Sequence, residues 1–130
     1  MSAYRTVVVG TDGSATSLRA VDRAGKIAAE LNAKLFIATG YSSMSASSKS
    51  SATLREARDR AKAAGATNIE ERSIRNAPVA ALVDLAREVE ADLLVVGNVG
   101  LSPIFGRLFS VPGNVSSRAK TDVLIVHTTG

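Results

Sequence analysis

The chain has 130 residues, the size of one folded unit, so we predict a single domain over residues 1–130. Hydrophobic residues make up 45% of it and charged residues 22%, a balance that excludes fibrous and largely disordered proteins. A net charge of +4 favours anionic ligands without choosing among them, and the absence of cysteine excludes disulfides, thiolate metal sites and cysteine nucleophiles.

The amino-terminal part of the chain predicts a strand, a helix and a second strand. Residues 4–10 are a β-branched apolar run that ends in a turn at residues 10–14, which is typical of a buried strand. Apolar residues then recur at spacings of three and four, namely Leu18, Val21, Ala24, Ala28 and Leu31. This period predicts a helix, whose start Ser14, Thr16 or Ser17 can cap. Residues 34–39 form a second apolar strand and complete a βαβ unit.

Residues 42–51 are expected to form a mobile loop, because seven of the ten are Ser and no apolar period runs through them. Strong helix formers at residues 53–64 predict a helix that ends before Gly65. Residues 68–74 alternate poorly and carry Glu70, Glu71 and Arg72, which favours a strand at the margin of the sheet.

The rest of the chain predicts two more strands, each preceded by a helix. Pro78 suits a first helical position, and the apolar residues Val79, Leu82, Val83, Ala86 and Val89 follow at helical spacing. Residues 92–97 predict the fourth strand, residues 111–120 a helix, and residues 123–127 the fifth strand. Alternating strands and helices predict an α/β domain with a mainly parallel sheet.

Gly-rich turns follow the first and the fourth predicted strands. Open parallel sheets bind ligands beyond the carboxyl ends of their strands, where the strand order reverses. If these two strands are neighbours at that point, residues 10–14 and 97–110 face one crevice. We therefore place the candidate site there.

The loop at residues 97–112 suits an anion, because Gly allows close backbone approach and a following helix start adds N–H donors. Ser110 can cap that helix and donate to a phosphate. Asp12 can accept from a ribose or base, or approach a phosphate-bound metal. Each also has a purely structural interpretation, since Gly97 and Gly100 can simply mark a turn and Asp12 can form an Asx turn or cap.

Several other kinds of site are not indicated. The chain has neither a P-loop nor a dinucleotide-binding Gly motif, and its single histidine, His127, is interpreted as structural. Basic residues at 55–62 alternate with acidic ones, and aromatics are only 4%, so we expect no nucleic-acid partner. No apolar run approaches the roughly 18 residues that cross a bilayer, so we expect no membrane segment and a cytoplasmic location.

Over essentially its whole length the sequence resembles the universal stress protein family, and most of all its small single-domain mycobacterial and actinobacterial members. Residues 7–14, 91–100 and 110–127 carry the resemblance. The ATP-binding branch of the family has Gly, two residues, Gly, nine residues, and then Gly-Ser or Gly-Thr. Gly97 and Gly100 match its first half and Ser110 its hydroxyl, whereas the third Gly is absent.

The resemblance implies a Rossmann-like fold, an open five-stranded parallel sheet in the order 3-2-1-4-5 with helices on both faces. It also implies an adenine nucleotide between strands one and four. This nucleotide is either ATP, with or without Mg, or cyclic AMP, whose one phosphate suits the altered motif. The implied contacts at the adenine and ribose end are Gly10, Thr11, Asp12 and Ala38. Those at the ribose and phosphates are Gly97, Asn98, Val99, Gly100, Ser110 and Val111. The implied homodimer pairs through Val123, Leu124, Ile125 and Val126.

Three functions are compatible with these features. The leading hypothesis is an adenine-nucleotide-binding stress protein that acts as a sensor, sink or regulator and not as a catalyst. The second is a nucleotide-free dimeric interaction module, which the missing Gly favours and the retained Gly97 and Gly100 oppose. The third is a slow ATPase that uses Asp12 and a divalent metal, although no positioned general base or Lys is evident.

Overall fold

The computed structural model describes residues 4–11, 15–41, 44–75, 78–97 and 121–127. The elements in chain order are β1 (Thr6–Gly10), α1 (Ala15–Leu31), β2 (Lys34–Tyr41), α2 (Met44–Ala63), β3 (Ile69–Arg75), α3 (Pro78–Glu88), β4 (Leu93–Gly97) and β5 (Asp122–Val126). The helix expected over residues 111–120 lies outside the described ranges. None of the helices within those ranges combines the length and the apolar character that a bilayer crossing requires.

The described strands form one five-stranded sheet in the order β3-β2-β1-β4-β5, and every neighbouring pair is parallel. From β1 the chain moves outward through β2 to β3 and then returns to β4 on the other side of β1. The strand order therefore reverses between β1 and β4, and the predicted topology is confirmed.

Alternate side chains of the central strands enter two separate cores. Val7 and Val9 pack with α1 and α2, whereas Val8 and Phe36 pack with α3 on the opposite face. Residues Val7, Val8 and Val9 are all fully buried. Helices on both faces thus explain why β1 is a continuous apolar run and not an alternating one.

A residue with positive φ follows the end of each described helix within two positions, namely Asn32 at 54°, Gly65 at 109° and Glu90 at 51°. At the end of α2 the Gly65 N–H donates to the Lys62 carbonyl at 2.9 Å and the Ala66 N–H to the Ala61 carbonyl at 3.1 Å. These two bonds form a Schellman motif, which glycine adopts without steric penalty. The expected stop at Gly65 is confirmed.

Helix α2 begins at Met44, so the loop expected over residues 42–51 is corrected: residues 44–51 form its first turns. Serine costs only about 0.5 kcal/mol relative to alanine in a helix, and extending a helix is much easier than nucleating one. The strong helix formers that follow, anchored by the buried Leu54, Ala57 and Ala61, therefore carry the helix back through the serines. Residues 42 and 43 lie outside the described ranges.

Strand β3 lies at one edge of the sheet, as its charged residues predicted. Lys34 Nζ lies 3.1 Å from Glu70 Oε1, and Arg72 also pairs with Glu70. The hydrogen bond from Lys34 is the main reason that the pKa of Glu70 lies below its ordinary value, and the hydrogen bond from Arg72 is the second. Charged side chains along an edge strand discourage pairing with a further strand.

At the amino-terminal edge of the sheet, Asp92 ties the start of β4 to the start of β1. Its Oδ2 accepts hydrogen bonds from the backbone N–H groups of Arg5 at 2.9 Å and Thr6 at 3.0 Å. Nearby, the Tyr4 hydroxyl donates to Asp122 Oδ2 at 2.9 Å. These hydrogen bonds join the start of β1 to the starts of β4 and β5.

Replacing Asp92 with alanine is expected to lower the free energy of unfolding by about 2 kcal/mol, because two backbone donors lose a charged acceptor. Urea denaturation measures this loss. Asp59→Ala, which removes an exposed carboxylate from α2, is the matched control and is expected to change stability by less than about 0.5 kcal/mol. Equal stabilities of the two variants would contradict the bracing role of Asp92.

Candidate functional site

Four of the predicted site residues meet at the carboxyl edge of the sheet. Gly10 is paired with Ala38 across β1 and β2, and the Thr11 N–H donates to the Ala38 carbonyl at 3.0 Å. The register of β1 and β4, continued by two residues, brings Gly97 level with Thr11. Gly10, Thr11, Ala38 and Gly97 therefore lie together at the point where the strand order reverses.

The other predicted site residues lie outside the described ranges: Asp12, Asn98, Val99, Gly100, Ser110 and Val111. Asp12 follows Thr11 directly in the sequence, and Asn98, Val99 and Gly100 follow Gly97. Their roles at the site stay predictions.

Gly10 shapes the side of this edge that faces α3. A Cβ added at Gly10 would lie 3.0 Å from Leu82 Cδ2 and 3.1 Å from Leu82 Cδ1. The missing side chain thus lets α3 pack closely over the end of β1. Leu82, Ala38 and Val96 belong to one buried apolar cluster, so the α3 side of the edge is apolar.

Hydroxyl groups lie on the opposite side, which faces α1. Thr11 and Thr39 are 6% and 7% exposed, and they are the only buried polar or charged residues among those whose side-chain burial the structure describes. The register of β1 and β2, continued by one residue, makes them neighbours. Thr11 Oγ1 lies 2.8 Å from Oγ of Ser17, in the first turn of α1, and either hydroxyl can donate. We call Thr11, Ser17 and Thr39 the hydroxyl cluster.

Sequence reasoning missed part of this cluster. From the sequence, Thr39 has no predicted role beyond the second strand, and Ser17 is predicted only as a helix cap. One signal was available, since Thr39 is a polar residue that ends the apolar run of residues 35–38. A buried hydroxyl costs free energy unless it is hydrogen-bonded, so polar residues at such positions merit attention.

The helix starts make the edge electrostatically suited to an anion. Helices α1, α2 and α3 each follow a strand of the parallel sheet, so their amino termini lie at its carboxyl edge. None of the three has an acidic residue in its first turn. First-turn carboxylates therefore do not offset the partial positive charge of these helix ends.

Comparison with known proteins identifies a family and full-length relatives. The model of the Universal stress protein family matches residues 3–127. A universal stress protein of Mycobacterium tuberculosis (strain H37Rv) is 56% identical over 147 residues, which cover 99% of this chain and 100% of the relative. The alignment exceeds the 130 residues of this chain, so the relative has residues with no counterpart here.

Solved structures share the fold. A crystal structure of a universal stress protein in complex with cAMP is 70% identical, has a TM-score of 0.79, and covers 98% of this chain and 100% of that chain. The crystal structure of a Mycobacterium tuberculosis H37Rv protein is 62% identical, with a TM-score of 0.68 and 99% coverage of both chains. A universal stress protein from Archaeoglobus fulgidus in complex with dAMP has a TM-score of 0.70 at 20% identity, over 95% of this chain and 98% of that chain. The last comparison shows the fold alone.

Proposed function

This chain belongs to the universal stress protein family, and from that premise we propose that it binds an adenine nucleotide at the carboxyl edge of β1 and β4. The observation that carries the proposal is the meeting of Gly10, Thr11, Ala38 and Gly97 at the strand-order reversal, where open parallel sheets bind ligands. The 70% identical universal stress protein that was crystallised in complex with cAMP supports the same class of ligand.

The two sides of the site match the two ends of a nucleotide. On the α3 side, Leu82 packs over Gly10 and Ala38, so a purine ring that lies beside these buried residues meets apolar surroundings. On the opposite side, the amino termini of α1 and α2 supply partial positive charge for a phosphate. A ligand with an aromatic base and a compact anionic group satisfies both sides.

Cyclic AMP is the preferred ligand in this proposal, with ATP and Mg as the alternative. The motif at residues 97–110 lacks the third Gly of the ATP-binding branch, and a single phosphate needs fewer backbone donors than a triphosphate. In this proposal Gly97, Asn98, Val99, Gly100, Ser110 and Val111 contact the ribose and phosphate, and Asp12 contacts the adenine and ribose end.

The proposed role is that of a cytoplasmic sensor, sink or regulator in the stress response, with at most weak ATP hydrolysis. The proposal includes a homodimer. Strand β5 is the second edge of the described sheet, and Val123, Leu124 and Ile125 on it are only half-buried. Pairing of residues 123–126 with a second copy would cover them. A nucleotide-free dimeric module is the second candidate function, and this half-buried edge strand of the described sheet is the observation that favours it.

Calorimetric titration of nucleotide-stripped protein with cyclic AMP, with ATP plus magnesium, and with cyclic GMP as the base control tests the proposal. We expect saturable binding of cyclic AMP at one site per chain, weaker binding of ATP, and no phosphate release in the ATP samples. Tighter binding of ATP would overturn the choice of ligand. Binding of neither adenine nucleotide would reject the proposed function and favour the interaction module.

A further inference from the structure

Thr11 is held from two directions at the end of β1. Its backbone N–H donates to the Ala38 carbonyl at 3.0 Å, and its Oγ1 lies 2.8 Å from Ser17 Oγ. The first bond joins Thr11 to β2, and the second joins it to the first turn of α1. Because Thr11 is only 6% exposed, water competes little for either bond.

The bond between Thr11 and Ser17 joins two different elements. Thr11 follows the last residue of β1, and Ser17 lies in the first turn of α1, which begins at Ala15. The hydroxyl contact therefore fixes the distance between the end of β1 and the first turn of α1. A helix cap that bonds only to its own helix would place no such limit on the end of β1.

We propose that Ser17 is a positioning residue of the nucleotide site, acting through Thr11 to hold the end of β1 against the first turn of α1. This inference rests on the proposed function, since it concerns how the same site is held ready for its ligand. Ser17 itself does not contact the nucleotide in this proposal. A strand end that is already held in place loses less conformational freedom on binding, so the contact raises affinity by preorganisation.

The expected effect is measurable in the affinity for cyclic AMP. Ser17→Ala removes the hydroxyl and is expected to weaken binding about tenfold, the equivalent of one buried hydrogen bond. Ser17→Thr retains a hydroxyl on the same helix position and is expected to bind within about twofold of the unaltered protein. Thr67→Ala, which removes an exposed hydroxyl near the amino-terminal edge, is the matched control and should leave affinity unchanged.

Calorimetry with cyclic AMP on these variants is combined with a double-mutant cycle that uses Thr11→Val, which keeps the shape of threonine and removes its hydroxyl. Thermal melts establish that each variant is folded at the titration temperature. If Ser17 acts through Thr11, Ser17→Ala has little further effect on affinity once Thr11 is valine, so the two losses are not additive.

Each outcome of the cycle is decisive. Tenfold weakening by Ser17→Ala, restoration by Ser17→Thr and non-additivity with Thr11→Val support the positioning role. Unchanged affinity of Ser17→Ala, a loss that Ser17→Thr does not restore, or additive losses would overturn it while the proposed function stands. Failure of the unaltered protein to bind cyclic AMP or ATP would instead reject the proposed function, and the role of Ser17 with it.

Discussion

Replacing Gly97 with leucine is expected to weaken the binding of cyclic AMP about 100-fold or more while the protein remains folded. Gly97 is the last residue of β4, half-buried and level with Thr11. A leucine side chain there would project from the sheet on the face that Val95 also uses, the side on which α1 packs and the proposed phosphate lies. Forcing a ligand past such a side chain costs about 3 kcal/mol, which corresponds to about 100-fold in the dissociation constant.

Calorimetric titration with cyclic AMP measures this loss, and circular dichroism reports the fold. Thr67→Leu introduces the same side chain at an exposed position near the opposite edge and is expected to bind like the unaltered protein. Retained affinity in Gly97→Leu would show that the nucleotide does not lie between the ends of β1 and β4.

The largest effect on stability is expected at Gly25, where α1 and α2 come into close contact. A Cβ at Gly25 would lie 3.0 Å from Ala61 Cα, 3.1 Å from the Ala61 carbonyl oxygen and 3.2 Å from Ala64 Cβ. The first two atoms belong to the backbone and cannot turn away, so any larger side chain pushes the helices apart. Arg60 crosses the same interface and donates to Asp22 through Nε at 2.9 Å.

Gly25→Val is expected to lower the free energy of unfolding by about 3 kcal/mol and the melting temperature by about 10 °C. Thermal and urea denaturation measure both values. Lys26→Val places the same β-branched residue at the next, exposed position of α1, where only helix propensity is affected, and should cost less than about 1 kcal/mol. Equal losses in the two variants would show that the α1–α2 contact tolerates a side chain at Gly25.

The topology of the sheet was predictable because its strands are covered on both faces. Continuous apolar runs such as residues 7–9 and 93–96 have few alternative placements in a small α/β domain, and Gly65 marks a helix end by its backbone conformation. The strand order itself came from the resemblance to a family, since local patterns do not determine which strands become neighbours.

The start of α2 was not predictable from local composition. Serine is neutral to unfavourable in a helix, so residues 44–51 carry no helical signal of their own. Their conformation depends on cooperative extension from residues that pack on α1, including Leu54 and Ala57. The helical conformation of residues 44–51 can therefore be recognised only once the contacts between α1 and α2 are known.

Only part of the candidate site was predictable from the sequence. Gly10 and Gly97 stand out because glycine ends both strands, whereas Ala38 was assigned through the family resemblance alone. The contact between Thr11 and Ser17 joins residues six positions apart on different elements, and no sequence period marks it. Its importance emerges from burial, because hydroxyls are scarce in the cores of the described chain.

Titration of isotope-labelled protein with cyclic AMP, followed through the backbone amide resonances, tests the proposed nucleotide site most directly. If the nucleotide binds at the carboxyl edge, the amides of Gly10, Thr11, Ala38 and Gly97 shift together and saturate with one dissociation constant. Those of Asn68 and Asp92, at the amino-terminal edge, stay in place. Shifts confined to the amino-terminal edge, or no shifts at a saturating concentration, would contradict the proposed site.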